Sequence, residues 1–240
     1  MLLAAGLGTR MRPLTDKTAK PLLPLGGRAL IDHALDRLTA AQVARVVVNT
    51  HWQAALVRAH LARRDPPPEI LVREEASLLG TGGAVRAALA TLGPDPFFVV
   101  NGDTFWLDGP IPALDRLRAA FDDTTDAVLL LHRGFQVHAE MGRGDFALDP
   151  ASDPWGQVRR PREHELVPYV YAGVQLLRPS LFDSAPAGSF GMNIMWDCAI
   201  AAGRVRAIVH DGLWFHLSRP DDLAQAELTL HGEVHGWGTG

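Results

Sequence analysis

Apolar positions along the chain alternate between two periods. Leu30, Ile31, Ala34, Leu35 and Leu38 recur at helical spacing and predict a helix over residues 28–42. Residues 45–49 form a continuous β-branched run, the pattern of a strand buried on both faces. Residues 53–64 return to the helical period and stop at Pro66-Pro67-Pro68. The alternation continues with a strand at 69–73, a helix at 84–92, a strand at 97–100, a helix at 111–121 and a strand at 127–132. A short apolar segment, Met1 to Leu3, supplies a first strand, with room for a residue or two to precede it.

Beyond residue 132 the texture changes. Residues 142–146, 157–160 and 169–177 look like β segments joined by loops; a helix at 192–202, strands at 205–210 and 213–217, and a closing helix at 220–230 follow. Residues 231–240 are glycine-rich and predict a frayed tail. No repeat and no long linker divides the chain. The reading is one Rossmann-like α/β domain over residues 1–240, a mixed, mostly parallel sheet flanked by helices. In such sheets ligands bind at the carboxyl ends of the strands. The segments 6–10, 49–52, 80–83 and 101–103 all follow strand ends, so they converge on one edge.

Composition narrows the function. The chain has 240 residues, 47% hydrophobic and 21% charged, with a net charge of −4. That is an ordinary globular composition, with no basic surplus for nucleic acid or an anionic membrane surface. No run approaches the ~20 apolar residues of a membrane span, and no secretory signal opens the chain, so the expected compartment is the cytoplasm. Cys198 is the single cysteine; on an apolar helix it reads as core.

Gly6 and Gly8 lie in a turn after the first strand, where backbone N–H groups are left free to face an anion. Arg10, Arg12, Lys17 and Lys20 follow, and the chain's two lysines both lie in this loop. A compact ammonium with mobile donors suits phosphate. Met11 stands where a dinucleotide fingerprint needs its third glycine, and a Walker Gly-Lys-Ser/Thr is absent. A second glycine-rich turn, Leu79-Gly80-Thr81-Gly82-Gly83, precedes a helix. Asn101-Gly102-Asp103 closes an apolar strand, either as a plain turn or as a carboxylate presented to a divalent metal beside phosphates.

In this order and spacing, Gly6-x-Gly8-Thr9-Arg10-x-Arg12-Pro13-Leu14-Thr15, Lys20-Pro21-Leu22, the 79–83 turn and Asn101-Gly102-Asp103 resemble the sugar-1-phosphate nucleotidyltransferases. Gly142-Arg-Gly-Asp-Phe146, Tyr171-Ala-Gly-Val174 and the strand containing Trp214 look most like the short N-acetylmuramate-1-phosphate uridylyltransferases. The family's left-handed β-helix extension is not expected in this chain. The resemblance implies that a sugar 1-phosphate attacks the α-phosphorus of a nucleoside triphosphate, with UTP and N-acetylmuramate 1-phosphate preferred. It implies Arg10 on the pyrophosphate side and Lys20 near the α-phosphate as the catalytic pair. Ala5, Gly6, Gly8, Thr9, Gly80, Gly82, Gly83 and Asn101 would border the nucleotide. Gly144, Asp145, Tyr171 and Gly173 would border the sugar. Asp103 would hold Mg²⁺, with Mn²⁺ the alternative. Residues 1–132 would form the nucleotide-binding half and 133–230 the sugar-binding half.

The chain departs from the family pattern in three places. Ala19 replaces a proline. The second metal carboxylate falls on His216, and imidazole suits Mn²⁺, Co²⁺ or Zn²⁺ better than Mg²⁺. Leu217-Ser218 replaces Val-Gly. Other readings stay open: guanylyl transfer to mannose 1-phosphate, thymidylyl or cytidylyl transfer, or a non-catalytic sensor of nucleotide sugars. Arg159 and Arg160 read as an exposed β-edge charge pair or as ligands for the sugar phosphate, Tyr171 as core or sugar contact, Asp145 as a solvated loop acid or sugar contact, and His51 and Trp52 as ligand contacts or a helix cap.

Overall fold

The computed structural model describes residues 1–136, 142–149 and 157–232. Thirteen strands are described: β1 (Leu2–Leu3), β2 (Pro24–Leu25), β3 (Arg28–Ala29), β4 (Arg45–Thr50), β5 (Glu69–Glu74), β6 (Phe97–Asn101), β7 (Phe105–Leu107), β8 (Ala127–Arg133), β9 (Ala147–Asp149), β10 (Gln157–Arg159), β11 (Tyr169–Leu177), β12 (Val205–Val209) and β13 (Leu213–Phe215). The helices are α1 (Leu30–Ala40), α2 (Ala54–Leu61), α3 (Gly80–Leu92), α4 (Ala113–Ala119), α5 (Asn193–Ala201) and α6 (Pro220–Leu230).

Nine strands form one sheet in the order β5-β4-β1-β6-β11-β8-β12-β10-β9. The β5-β4-β1-β6 block and the β8–β12 pair are parallel. Only β11 and β10 run against the other described strands of this sheet. The expected mixed, mostly parallel sheet is borne out, and it passes without a break through both the 1–132 and the 133–230 segments.

Strand alternation divides the interior into two cores. Val46, Val48, Phe98, Val100, Val128 and Leu130 point to one face, where Leu35 and Leu38 of α1 and Leu117 of α4 cover them. Val47, Val99, Ala127, Leu129 and Leu131 point to the other, under Val85 and Ala88 of α3 and Met195 and Trp196 of α5. Period-2 strands with apolar residues at both parities require helices on both sides. A third, smaller core gathers Met11, Leu23, Leu25 and Leu30 against Phe105, Leu217 and Leu223. It lies under the first glycine loop, and Met11, fully buried, anchors that loop.

Several expected boundaries move. The helix expected from residue 28 begins at Leu30, because Arg28–Ala29 pairs with Pro24–Leu25 as a small hairpin. The helix expected from Ala84 begins at Gly80, so the glycine-rich turn is the helix's own first turn. Gly80 has φ +70°, and a Cβ there would stand 2.5 Å from the Phe190 carbonyl oxygen; only glycine fits. The ribbon β7–β13 places Phe105 opposite Phe215 and was legible only on its β13 side. Cys198 is exposed rather than core, since α5 turns Met195, Trp196 and Ala199 inward and Cys198 outward. The expected tail at 231–240 lies outside the described residues beyond Gly232. Among the described residues no helix is long and apolar enough to cross a membrane.

Candidate active site

Strand β1 is the point from which the chain departs to β4 on one side and later to β6 on the other, the position where open α/β sheets bind ligands. Leu3 is in register with Asn49 of β4 and with Asn101 of β6. Each flanking strand thus brings an asparagine to the same level, either side of the first loop. A cleft of about 500 Å³ opens there.

Ala5, Gly6, Gly8, Thr9 and Arg10 line one wall of the cleft, and Lys20, Asn101 and Asp103 stand with them. Gly8 has φ +63° and starts the single turn Thr9–Met11. A Cβ at Gly8 would lie 3.0 Å from the Thr15 methyl and 3.2 Å from Lys20 Cβ, so the loop closes tightly over the lysine. The Thr15 hydroxyl donates to the Gly8 carbonyl at 2.7 Å, and the Trp52 indole N–H donates to the Thr15 carbonyl at 3.1 Å. Trp52 therefore braces the loop, and His51 bonds the Glu75 carbonyl through Nδ1 at 2.8 Å. Ala19, fully buried, packs into the core beneath.

Lys20 Nζ donates to Asp103 Oδ2 at 2.5 Å across 83 residues of sequence. The lysine side chain is 13% exposed and the carboxylate 34% exposed, so the pair is partly shielded and still reachable from the cleft. Asp103 owes its place to Gly102, whose N–H donates to the Leu3 carbonyl at 2.8 Å and pins the end of β6 against β1.

The second glycine-rich segment contributes Gly80 and Thr81 to the opposite wall. Gly82 and Gly83 lie deeper: both are buried, and both donate their N–H groups to the Phe190 carbonyl, at 3.0 and 3.1 Å. Thr81 Oγ1 in turn accepts from the Met192 N–H at 2.8 Å. The start of α3 and the 190–192 segment are thereby fastened together.

The expected sugar residues form a second group beside this cleft. Tyr171 N–H donates to Asp145 Oδ2 at 2.9 Å, and Asp145 N–H to the Tyr169 carbonyl at 2.8 Å. Gly173 abuts Asn101 and Thr104, which joins the two groups. Gly144 lies against the Val167 carbonyl. The Tyr171 ring meets Trp196 edge-on at 4.7 Å. Its hydroxyl is buried with no hydrogen-bond partner among the described residues, and burial pushes the phenol well above its usual range. Arg159 is held by both oxygens of Glu165, at 2.7 and 2.8 Å, which draws the Glu165 carboxyl down to about 2. Arg160 stacks over Phe146 and bonds Asp197 and Asn193.

His216 lines an adjoining hollow of about 490 Å³ with Trp214, Asp222 and Gln225. Burial lowers its pKa; Asp222 and Asp103 oppose that, while Lys20 and Arg10 reinforce it. It thus senses both the cations and the acid of the cleft. Among the described residues no group of three or more His, Cys, Asp or Glu is placed to hold a metal ion.

Sequence reasoning did not single out Asn49 and Glu75 as site residues, and both line the cleft. Asn49 carried the same signal as Asn101, a polar residue closing an apolar strand. Glu74 and Glu75 are adjacent acids, and nothing local shows that Glu74 pairs with Arg58 at the surface while Glu75 turns inward.

A MobA-like NTP transferase domain is matched over residues 1–184. The N-acetylmuramate alpha-1-phosphate uridylyltransferase of Caulobacter vibrioides is 41% identical over 235 residues, 96% of either chain. The chain belongs to this NTP transferase family. A protein of the same name from Neisseria meningitidis serogroup B is 33% identical over 95% of this chain and 96% of its own. The resemblance to sugar-1-phosphate nucleotidyltransferases is therefore borne out, and the transferase is a nucleotidyl-transferring enzyme. Solved structures share its fold. A UDP-glucose pyrophosphorylase complexed with UDP-glucose superposes with a TM-score of 0.80 at 16% identity over 97% of each chain. A putative glucose-1-phosphate thymidylyltransferase from Bacillus anthracis gives 0.78 at 18% identity, over 99% of this chain and 96% of that one.

Proposed function

We propose that this transferase moves the uridylyl group of UTP to N-acetylmuramate 1-phosphate in the cytoplasm, giving the UDP-sugar and pyrophosphate. The carrying observation is that Lys20 and Asp103 meet in a cleft bounded by both glycine-rich segments. The base and the sugar rest on the two relatives that match nearly full length.

Transfer to a phosphate oxygen needs little covalent work from the protein; positioning and charge neutralisation carry it. Arg10 would face the leaving pyrophosphate and Lys20 the α-phosphate, with the N–H groups of the Ala5–Thr9 loop as fixed donors. Ala5, Gly6, Gly8, Thr9, Gly80 and Asn101 would enclose the nucleotide, with Gly82 and Gly83 supporting from beneath. Gly144, Asp145, Tyr171 and Gly173 would border the sugar.

Two carboxylates line the cleft: both oxygens of Glu75 are taken by Asn49 and the Leu79 N–H, which leaves Asp103, paired with Lys20, as the donor for an ion. That fits a hard divalent ion carried in on the triphosphate, since Mg²⁺ commonly takes one or two carboxylates plus phosphate oxygens. Asp103 would hold it, and His216 would approach from the neighbouring hollow. Such an ion would neutralise charge on the phosphates and orient them in line.

Pyrophosphate release tests the reading. Four triphosphates are paired with N-acetylmuramate, N-acetylglucosamine, glucose and mannose 1-phosphates, in Mg²⁺ or Mn²⁺. UTP with N-acetylmuramate 1-phosphate should give the highest kcat/KM. Preference for GTP with mannose 1-phosphate would replace the substrate pair, and tight binding without turnover would make the protein a sensor.

A further inference from the structure

We infer that Asn49 and Glu75 form a strut that sets the distance between the two glycine-rich walls of the cleft, and so governs nucleotide affinity without touching the reacting atoms. The inference rests on the nucleotide-binding reading of the cleft.

Both side chains are buried, Asn49 at 3% and Glu75 at 6% exposure. The Ala4 N–H, at the root of the first glycine loop, donates to Asn49 Oδ1 at 3.0 Å. Asn49 Nδ2 donates to Glu75 Oε1 at 2.7 Å. Glu75 Oε2 accepts from the Leu79 N–H at 3.0 Å, immediately before Gly80 and the start of α3. Three hydrogen bonds thus run from one wall to the other through the end of β4.

Residue chemistry shows why these two types are needed. Position 49 must accept from Ala4 and donate to residue 75, which a planar amide does with its two ends. Position 75 faces two donors, Asn49 Nδ2 and the Leu79 N–H, which a carboxylate satisfies with its two oxygens. A negative charge beside a site for a polyanion opposes binding, so a carboxylate with both oxygens bonded to the protein points to geometry rather than to ligand contact. A buried carboxylate is tolerable here because both oxygens are hydrogen-bonded.

The test is an isosteric exchange in the full-length protein. Asn49→Asp alone sets two carboxylates against each other; Glu75→Gln alone leaves a donor facing a donor. The double variant restores all three bonds with the roles exchanged. Its carboxylate at position 49 accepts from the Ala4 N–H and from the amide NH₂ at position 75, and the amide oxygen at position 75 accepts from the Leu79 N–H. Each single variant should weaken UTP binding, by calorimetry, roughly 10- to 100-fold, the worth of one charge-assisted hydrogen bond. The loss should fall on KM for UTP more than on kcat. The double variant should return to within about 3-fold of the wild type with unchanged base preference, as a coupled pair requires. A double variant that folds but binds no better than Glu75→Gln, or changes its base preference, would show that the carboxylate acts on the ligand itself and overturn the proposal; so would single variants that bind UTP normally. Amide hydrogen exchange on the wild type gives a readout independent of any variant: Ala4 and Leu79 should be protected like the centre of β4 without ligand, and fast exchange at Leu79 would overturn the strut. A wild type that binds no triphosphate would instead remove the functional reading.

Discussion

The two flanks of the cleft are built differently. On the β5-β4-β1-β6 side, parallel strands end at one level, and the groups they offer are loop amides, two asparagines and the Lys20–Asp103 pair. On the other side, β11 runs antiparallel, and Asp145 and Tyr171 are tied to each other while aromatic rings pack behind them. A triphosphate is the same whatever sugar is used, so backbone amides held by strand ends suffice for it. A sugar differs from its neighbours by hydroxyl positions and substituents, and side chains on inserted antiparallel segments are the freer means of reading those.

The largest effect belongs to Lys20→Ala, which should cut kcat by on the order of 10³, because a preorganised cation aimed at developing charge is lost. Steady-state kinetics with both substrates saturating checks it; a loss under about 10-fold would remove Lys20 from the chemistry. Gly80→Ala should cost about 2–4 kcal/mol of stability, combining a positive φ with a clash against the Phe190 carbonyl. Denaturant unfolding measures it.

Third is a pH effect in the interior where β8 packs against Trp214 of β13. His132 is 3% exposed, and its pKa is lowered to about 4, chiefly by burial and then by His210 and Arg133. His210, also buried, is lowered in the same direction. The unfolded chain binds protons below about 6.5 that the folded chain refuses, so stability rises with pH through that window and falls on acidification from 6.5 to 4. The loss should be of the order of 2 kcal/mol, and His132→Gln should flatten the Tm profile between pH 4 and 7. A carboxylate with lowered pKa, such as Glu165 at about 2, loses its contribution as pH falls from about 4.5, so it overlaps only the acid end of the window, and His132→Gln isolates the histidine part.

A smaller effect is expected at the metal. His216→Asp should raise activity in Mg²⁺ relative to Mn²⁺ by roughly 3- to 10-fold, since a carboxylate is the harder ligand. Unchanged metal profiles would detach His216 from the ion. The smallest belongs to Tyr171→Phe. Its buried hydroxyl has no partner among the described residues, so removing it should change stability by less than about 0.5 kcal/mol or raise it slightly, and leave the sugar KM within about 2-fold. A large rise in that KM would show the hydroxyl reaching the sugar.

The flank proposed for the nucleotide was readable in the sequence because its signals are local. Val46–Val48 and Phe97–Val100 declare buried strands, and a polar residue closing each declares the binding edge. Asp103 and Lys20 could be joined only through a familiar motif order, since 83 residues separate them. Glu75 was missed because its inward turn depends on Asn49, a partner supplied by another strand. The helix start at Gly80 was misplaced because glycine reads as a turn; tertiary contact with Phe190 makes it helical. Cys198 misled because α5 is apolar nearly all round, so composition could not say which stripe faces the core. On the flank proposed for the sugar, long-range antiparallel pairing sets the geometry, and no local pattern encodes it.

In the proposed reaction the amino-terminal loop and Asp103 hold one triphosphate between them, with a divalent ion arriving on that triphosphate. Mn²⁺ binding followed by paramagnetic resonance, with and without UTP, tests it most directly. Mn²⁺ should bind weakly to the free protein, where Lys20 occupies Asp103, and at least about 10-fold more tightly with UTP present, an increase that Asp103→Asn abolishes. Mn²⁺ affinity independent of UTP, or insensitive to Asp103→Asn, would contradict the account.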